Sequence, residues 1–109
     1  MEVHRTLGPG LLESAYQKCL AHEFDRQGIA YKAEYPLPVS YKEIKLDCGY
    51  RLDFIVDDSI ILELKSVEKL LPVHEAQLMT YMKLLGAREG FLINFNAIRL
   101  KSGLKRFVL

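Results

Sequence analysis

Apolar residues recur at helical spacing in two separate segments of the chain. The segment 11–26 places four such residues on one helical face, and Gly28 follows as a stop signal. These four residues are Leu12, Tyr16, Cys19 and Leu20. The segment 72–85 opens with a proline, repeats apolar residues at i, i+4 and i+7, and is followed by Gly86. The pattern therefore predicts two helices.

Three runs of strand-forming residues lie between the two predicted helices. The first, 29–41, contains Pro36 and Pro38, which cannot donate to a sheet ladder, so we expect an edge strand or a bend there. The next two, 49–56 and 60–65, are rich in β-branched and aromatic residues and are separated by three turn-forming residues. These two runs predict a β-hairpin.

Two further strands are predicted after the second helix, over 90–95 and 106–109. The resulting element order is α-β-β-β-α-β-β. This order predicts an α/β fold in which helices pack on a mixed sheet. A chain of 109 residues suits one domain, so we expect a single domain over residues 1–109.

Composition narrows the class of protein. Half of the residues are apolar, and no apolar run is long enough to span a bilayer. The first ten residues lack the apolar core of a secretory signal, so we expect a soluble, cytoplasmic protein without membrane contact. Cys19 and Cys48 have no CxxC spacing, which favours free thiols over a disulfide or a zinc site.

The charge balance alone does not indicate a nucleic-acid-binding protein. Fifteen basic and fourteen acidic residues give a formal net charge of +1. Any basic surface must therefore be local. The strongest cluster is C-terminal and comprises Arg99, Lys101, Lys105 and Arg106, although such a cluster is often only a solvated segment.

The predicted hairpin brings charged residues together. Because side chains alternate along a strand, Glu63 and Lys65 share one face. If the hairpin loop has three residues and is centred on Asp58, Asp53 lies opposite Glu63 on that same face. A two-residue loop would instead send the two carboxylates to opposite faces, so the loop length tests the site.

Two carboxylates at such close range repel each other unless a cation lies between them. Oxygen ligands favour Mg²⁺ or Mn²⁺, and such an ion can polarise a phosphate oxygen and activate a water for attack. Lys65 would then stabilise the developing negative charge. The alternative is that Glu63 and Lys65 are ordinary residues of a half-solvated sheet face. The apolar flanks indicate an interior hairpin, where unpaired charges are costly, and favour a functional site.

The second helix adds Gln77 and Tyr81 at i, i+4, with His74 one turn earlier on the same side. A core tyrosine and a surface glutamine would explain this pair without any function.

On the first helix, Glu13 lies at the margin of the inward face defined by Tyr16. A helix glutamate is usually solvated, but this one could face the same cleft.

These residues together resemble a known family. The run from Gly10 to Tyr16 looks like the signature of the GxxExxY proteins, a branch of the PD-(D/E)xK nuclease superfamily with a restriction-endonuclease-like fold. Further matching segments are Gly49–Phe54, Glu63–Lys65, Pro72–Tyr81 and Leu92–Asn96. The resemblance covers nearly the whole chain, although Leu52 replaces the proline that gives the superfamily its name.

The resemblance implies a set of site residues. Asp53 and Glu63 would coordinate a metal ion, often together with the carbonyl of Leu64, and Lys65 would be catalytic. Separately, the helix residues Gln77 and Tyr81 would correspond to a supporting QxxxY element.

Glu13 would be a further metal contact. We therefore expect a Mg²⁺- or Mn²⁺-dependent nuclease that uses a metal-activated water, with DNA more strongly indicated than RNA and with homodimerisation as an open expectation. The alternative hypothesis is a non-catalytic nucleic-acid-binding or protein-interaction module that retains the hairpin as a scaffold.

Overall fold

The computed structural model describes residues 2–10, 12–47 and 49–109. Three α-helices and one short 3₁₀ helix occur in these ranges. They are α1 (Glu2–Leu7), α2 (Glu13–Arg26), α3 (Pro72–Leu85) and the 3₁₀ helix Leu100–Gly103. No helix in the described ranges is long and apolar enough to cross a membrane.

Seven strands in the described residues form two sheets. They are β1 (Tyr31–Pro36), β2 (Val39–Tyr41), β3 (Ile44–Leu46), β4 (Arg51–Val56), β5 (Ile60–Lys65), β6 (Glu89–Asn94) and β7 (Leu104–Val108). The main sheet has the order β1-β4-β5-β6-β7, while β2 and β3 form a separate hairpin. Within the main sheet only β5 and β6 are parallel, and α3 connects them. The predicted mixed sheet with flanking helices is confirmed, and β1 lies at its edge as Pro36 indicated.

The apolar core lies in two layers, one on each face of the sheet. The layer beneath α3 contains Leu37, Leu52, Ile61, Leu78, Tyr81, Met82, Ala87 and Leu92. The layer beneath α1 and α2 contains Val3, Tyr16, Phe54, Val56, Leu64, Phe95 and Leu100. Because β4 and β5 contribute to both layers, their charged residues are held in a rigid and largely dry part of the molecule.

Apart from the 3₁₀ helix between β6 and β7, the structure differs from the predicted element order in two places. Helix α1 precedes the first predicted helix, and its His4 side chain hydrogen-bonds the carbonyl of Ala97 at 2.8 Å. The predicted strand 29–41 is divided into β1 and β2, because Pro36 and Pro38 interrupt the ladder between them, and β2 pairs with the unpredicted β3. Cys19 is a half-buried free thiol, whereas Leu11 and Cys48 lie outside the described residues.

Candidate active site

The β4–β5 hairpin has the three-residue loop that the sequence analysis required. Phe54 pairs with Leu62 and Val56 with Ile60, so the loop is centred on Asp58. Asp57 and Asp58 both adopt positive φ angles, which aspartate tolerates better than most residues. Continuing this register by one residue puts Asp53 across from Glu63.

Beyond the last ladder pair, Phe54 with Leu62, hydrogen bonds from backbone amides to side-chain carboxylates join the two strands. The backbone amide of Asp53 donates to Oε1 of Glu63 at 3.2 Å. In return, the backbone amide of Leu64 donates to Oδ2 of Asp53 at 2.7 Å. Each carboxylate is thus held by the backbone of the opposite strand, and the two acidic groups converge.

Burial and mutual proximity both disfavour ionisation of this pair. Glu63 is only 5% exposed, and burial followed by the negative charge of Asp53 raises the pKa of Glu63 to about 8. Burial also raises the pKa of Asp53, against the opposing effect of the hydrogen bond from Leu64. At neutral pH without a cation, Glu63 is therefore largely protonated.

Lys65 lies on the same strand two residues beyond Glu63 and is half-buried. Its Nζ donates a long hydrogen bond of 3.4 Å to Oε1 of Gln77, and Nε2 of Gln77 donates to the hydroxyl of Tyr81 at 2.9 Å. Burial, and next the charge of Glu63, raise the pKa of the Tyr81 hydroxyl. The structure therefore joins Lys65 to both α3 residues singled out in the sequence, while His74 instead accepts a hydrogen bond from the Leu71 amide at the start of α3.

Glu13 lies in the first turn of α2, and its side chain is exposed. Partial burial and then the charge of Asp53 raise the pKa of Glu13, while Lys65 lowers it. Glu13 is thus electrostatically coupled to the carboxylate pair but has no hydrogen bond to it among the described contacts.

Leu64 has a buried side chain, and its amide holds Asp53; a metal contact through its carbonyl remains a prediction.

The Asp53–Glu63 pair is chemically suited to a hard divalent cation. In the described part of the chain, no three or more Asp, Glu, His or Cys side chains are grouped closely enough to hold a metal ion by themselves. Magnesium, however, commonly takes only one or two carboxylates from the protein and completes its shell with water and substrate phosphate. A cation between these carboxylates would also relieve the repulsion that raises the pKa of Glu63.

Three residues near the site were not singled out in the sequence. Gln17 on α2 donates from Nε2 to the carbonyl of Asp53 at 3.2 Å. Glu34 on β1 has a φ of 49°, and the β1–β4 ladder is interrupted at the position where Glu34 would oppose Asp53. The negative charge of Glu34 raises the pKa of Asp53. Tyr50 places its ring 5.9 Å from the ring of Tyr81. Tyr50 falls within the matching segment Gly49–Phe54 and Gln17 directly follows the signature run, but neither residue was marked by its own spacing or chemistry.

Two of the four residues of the C-terminal basic cluster form ion pairs within the protein. Lys105 is 2.8 Å from a carboxylate oxygen of Glu75, and Arg106 is 3.0 Å from one of Glu89. Both pairs are partly exposed, so each contributes little to stability. These contacts favour the interpretation of the cluster as a solvated surface rather than as the main nucleic-acid contact.

Comparison with protein families matches residues 1–107 to the PD-(D/E)XK nuclease superfamily. The chain belongs to this superfamily, and its five-stranded mixed sheet with flanking helices is restriction-endonuclease-like. Neither a curated protein nor a solved structure matches the chain significantly. Membership implies a nucleic-acid substrate, and members of the superfamily generally use divalent metal ions.

Proposed function

We propose that the protein is a Mg²⁺- or Mn²⁺-dependent nuclease that hydrolyses phosphodiester bonds of DNA. The observation that carries this proposal is the convergence of Asp53 and Glu63, each held by the backbone of the other's strand, with Lys65 on the same face. A buried carboxylate next to a half-buried one costs free energy in a structural role, so a site that binds a cation explains their placement better than packing does.

Each residue has a separate task in this proposal. Asp53 and Glu63 would hold the ion, with the Leu64 carbonyl and Glu13 as further contacts. A bound ion would supply a Lewis acid for a phosphate oxygen and for the attacking water. Hydrolysis adds the water oxygen to phosphorus and breaks one P–O ester bond; the water loses one proton, and the leaving alkoxide takes up a proton from solvent.

Lys65 is the electrostatic partner of the reacting phosphate. Its ammonium group stabilises the negative charge that grows on the phosphate oxygens during attack. Gln77 accepts a hydrogen bond from Lys65 and is itself held by Tyr81, so the α3 pair positions the ammonium group. Gln77 and Tyr81 are therefore positioning residues in this mechanism.

We further propose that the chain belongs to the GxxExxY branch and acts in the cytoplasm. The signature residues Glu13 and Tyr16 support the branch, because one is coupled to Asp53 and the other is a central core residue. A homodimer would form most readily at strand β7, an edge strand that ends in exposed Val108. Light scattering of the purified protein tests this association.

The deciding experiment combines metal titration with a cleavage assay. Mg²⁺ and Mn²⁺ are titrated calorimetrically into the wild-type protein, Asp53→Asn, Glu63→Gln and the exposed control Glu68→Gln. The same proteins are incubated with labelled single- and double-stranded DNA and RNA. We expect metal binding and metal-dependent cleavage by wild type and Glu68→Gln, and loss of both in the two site variants.

Two outcomes of this experiment would contradict the proposal. If the folded wild-type protein binds neither ion, or if Glu63→Gln keeps full activity, the nuclease proposal is wrong. The hairpin would then be a scaffold, and the non-catalytic binding or interaction module would be the better account.

A further inference from the structure

We propose that a cavity beside the carboxylate site, which we call the tyrosine pocket, binds one unpaired base of single-stranded DNA. The cavity has a volume of about 370 Å³. It is lined by Val39, Tyr50, Gln77, Thr80, Tyr81 and Leu84. This inference rests on the proposed function and specifies the form of nucleic acid that the site accepts.

The position of the tyrosine pocket connects it to the site of reaction. Gln77 accepts a hydrogen bond from Lys65 and also lines the pocket. Tyr81 lines the pocket too, and its hydroxyl accepts a hydrogen bond from Gln77. A phosphate next to Lys65 would therefore have its own or a neighbouring base beside the pocket.

The chemistry of the lining favours a flat aromatic ligand with a polar edge. The rings of Tyr50 and Tyr81 lie 5.9 Å apart and are tilted by 55°, so they offer two differently oriented aromatic faces. Gln77 and Thr80 supply groups that can hydrogen-bond the edge of a base. Of the described residues that line the cavity, none is charged, so a phosphate group is a poor occupant.

Tyr50 has an exposed ring and a fixed backbone, and both features suit it to stack on a base. Its side chain is 43% exposed, but its backbone carbonyl accepts a hydrogen bond of 3.0 Å from the amide of buried Leu37. The next residue, Arg51, pairs with Pro36 on β1. An aromatic ring that is exposed yet attached to a fixed backbone binds a base at a low entropic cost.

The same features disfavour a duplex. Bases in a duplex are stacked and paired, so one of them can enter the tyrosine pocket only if it is first flipped out. Duplex binding also depends strongly on Lys and Arg contacts to phosphates, and the chain carries a formal net charge of only +1. Stacking on tyrosine is independent of that charge, which favours an unpaired strand.

The test measures binding separately from cleavage. Fluorescence anisotropy in EDTA compares a labelled single-stranded DNA with its duplex, with the same strand carrying abasic sites, and with the matching RNA. The proteins are wild type, Tyr50→Ala, Tyr50→Phe and Tyr41→Ala. Tyr41 is the matched control because it is an exposed tyrosine that does not line the pocket.

We expect wild type to bind the single-stranded DNA more tightly than the duplex or the abasic strand, and at least as tightly as the RNA. Tyr50→Ala should weaken single-strand binding by about 5- to 150-fold, which corresponds to the loss of one base–aromatic stack. Tyr50→Phe and Tyr41→Ala should bind like wild type. Circular dichroism of Tyr50→Ala verifies that its fold is intact.

Several results would overturn the inference. These are equal affinity for duplex and single strand, absence of single-strand binding, preference for RNA, or equal effects of Tyr50→Ala and Tyr41→Ala. Cleavage assays keep the two proposals apart. Tyr50-dependent binding without metal-dependent cleavage contradicts the nuclease proposal alone, whereas cleavage with Tyr50-independent binding contradicts this inference alone.

Discussion

The backbone amide of Leu64 donates a 2.7 Å hydrogen bond to the carboxylate of Asp53 on the neighbouring strand. Glu63 makes the reciprocal contact, since its carboxylate accepts from the amide of Asp53. The orientation of both acidic groups is therefore set by backbone atoms, which are fixed by the sheet. Two carboxylates in this orientation need little rearrangement to bind a cation, which lowers the free-energy cost of binding.

The elevated pKa of Glu63 makes the stability of the metal-free protein depend on pH. A carboxyl group whose pKa is higher in the folded than in the unfolded protein makes its full contribution to stability below the unfolded value, which is 4.5 for Glu63. This contribution is lost as the pH rises to the folded pKa of about 8. The raised pKa of Asp53 acts in the same direction. In EDTA, we expect the free energy of unfolding to fall by up to about 3 kcal/mol between pH 5.5 and pH 8.5.

Urea denaturation at the two pH values measures this loss. Glu63→Gln should show a much flatter dependence on pH, because its side chain does not titrate, while Glu68→Gln at an exposed position should behave like wild type. Added Mg²⁺ should stabilise the wild-type protein more at pH 8.5 than at pH 5.5, since it binds the ionised carboxylates. A wild-type protein that is equally stable in EDTA at both pH values would contradict the burial of an uncharged Glu63.

Lys65 should contribute to the rate of cleavage more than to metal binding. We expect Lys65→Ala to lower kcat by about 10²- to 10³-fold, because it removes a cation that stabilises charge formed in the transition state. Calorimetry should give a Mg²⁺ affinity at least as high as that of wild type, since a nearby positive charge is gone. Lys69→Ala, at an exposed position, provides the control. Weaker Mg²⁺ binding with an unchanged kcat at saturating Mg²⁺ would assign Lys65 a structural role instead.

The local part of the site could be predicted from the sequence because it depends on short-range rules. The residues Asp57, Asp58 and Ser59 form a loop of three, and the alternation of side chains then brings Asp53 and Glu63 together. Helix α3 follows from Pro72 and Gly86, and the latter ends the helix with a φ of 74°. These features need no knowledge of which elements pack together.

The other contacts of the candidate site, and helix α1, depend on tertiary packing and could not be predicted from any one segment of the sequence. Gln17 contacts Asp53 only because α2 packs on the sheet, and Glu34 approaches Asp53 only because β1 pairs with β4. Helix α1 has six residues, too few for a reliable periodic pattern, and it is held to the segment after β6 by the hydrogen bond between His4 and Ala97. Long-range contacts of this kind are set by the whole fold and leave little trace in any one segment.

Gln77 should act through Lys65. We expect Gln77→Ala to lower the cleavage rate by about 3- to 10-fold, because one hydrogen bond that orients the ammonium group is lost. Tyr81→Phe should have a smaller effect of the same sign, since it removes the partner of Gln77 but leaves the contact between Gln77 and Lys65. Steady-state kinetics should show a lower kcat, while loss of the contact between Gln77 and a base in the tyrosine pocket would appear separately as a higher KM. Lys83→Ala on the exposed side of α3 should have neither effect. A larger loss in Tyr81→Phe than in Gln77→Ala would indicate that the tyrosine hydroxyl acts on the substrate directly.

Tyr16 should stabilise the fold through packing rather than through its hydroxyl group. Its ring is 1% exposed and stacks on Phe95 with 4.3 Å between centroids and an angle of 9°. We expect Tyr16→Ala to lower the free energy of unfolding by about 3–5 kcal/mol, because it leaves a cavity between α2 and the sheet. Tyr16→Phe keeps the ring and should retain both stability and Mg²⁺ binding, as should the exposed control Tyr41→Ala. Urea denaturation and calorimetry measure the two properties separately. If Tyr16→Phe stays fully stable but no longer binds Mg²⁺, the hydroxyl group takes part in the site, and the role assigned here to the signature tyrosine is wrong.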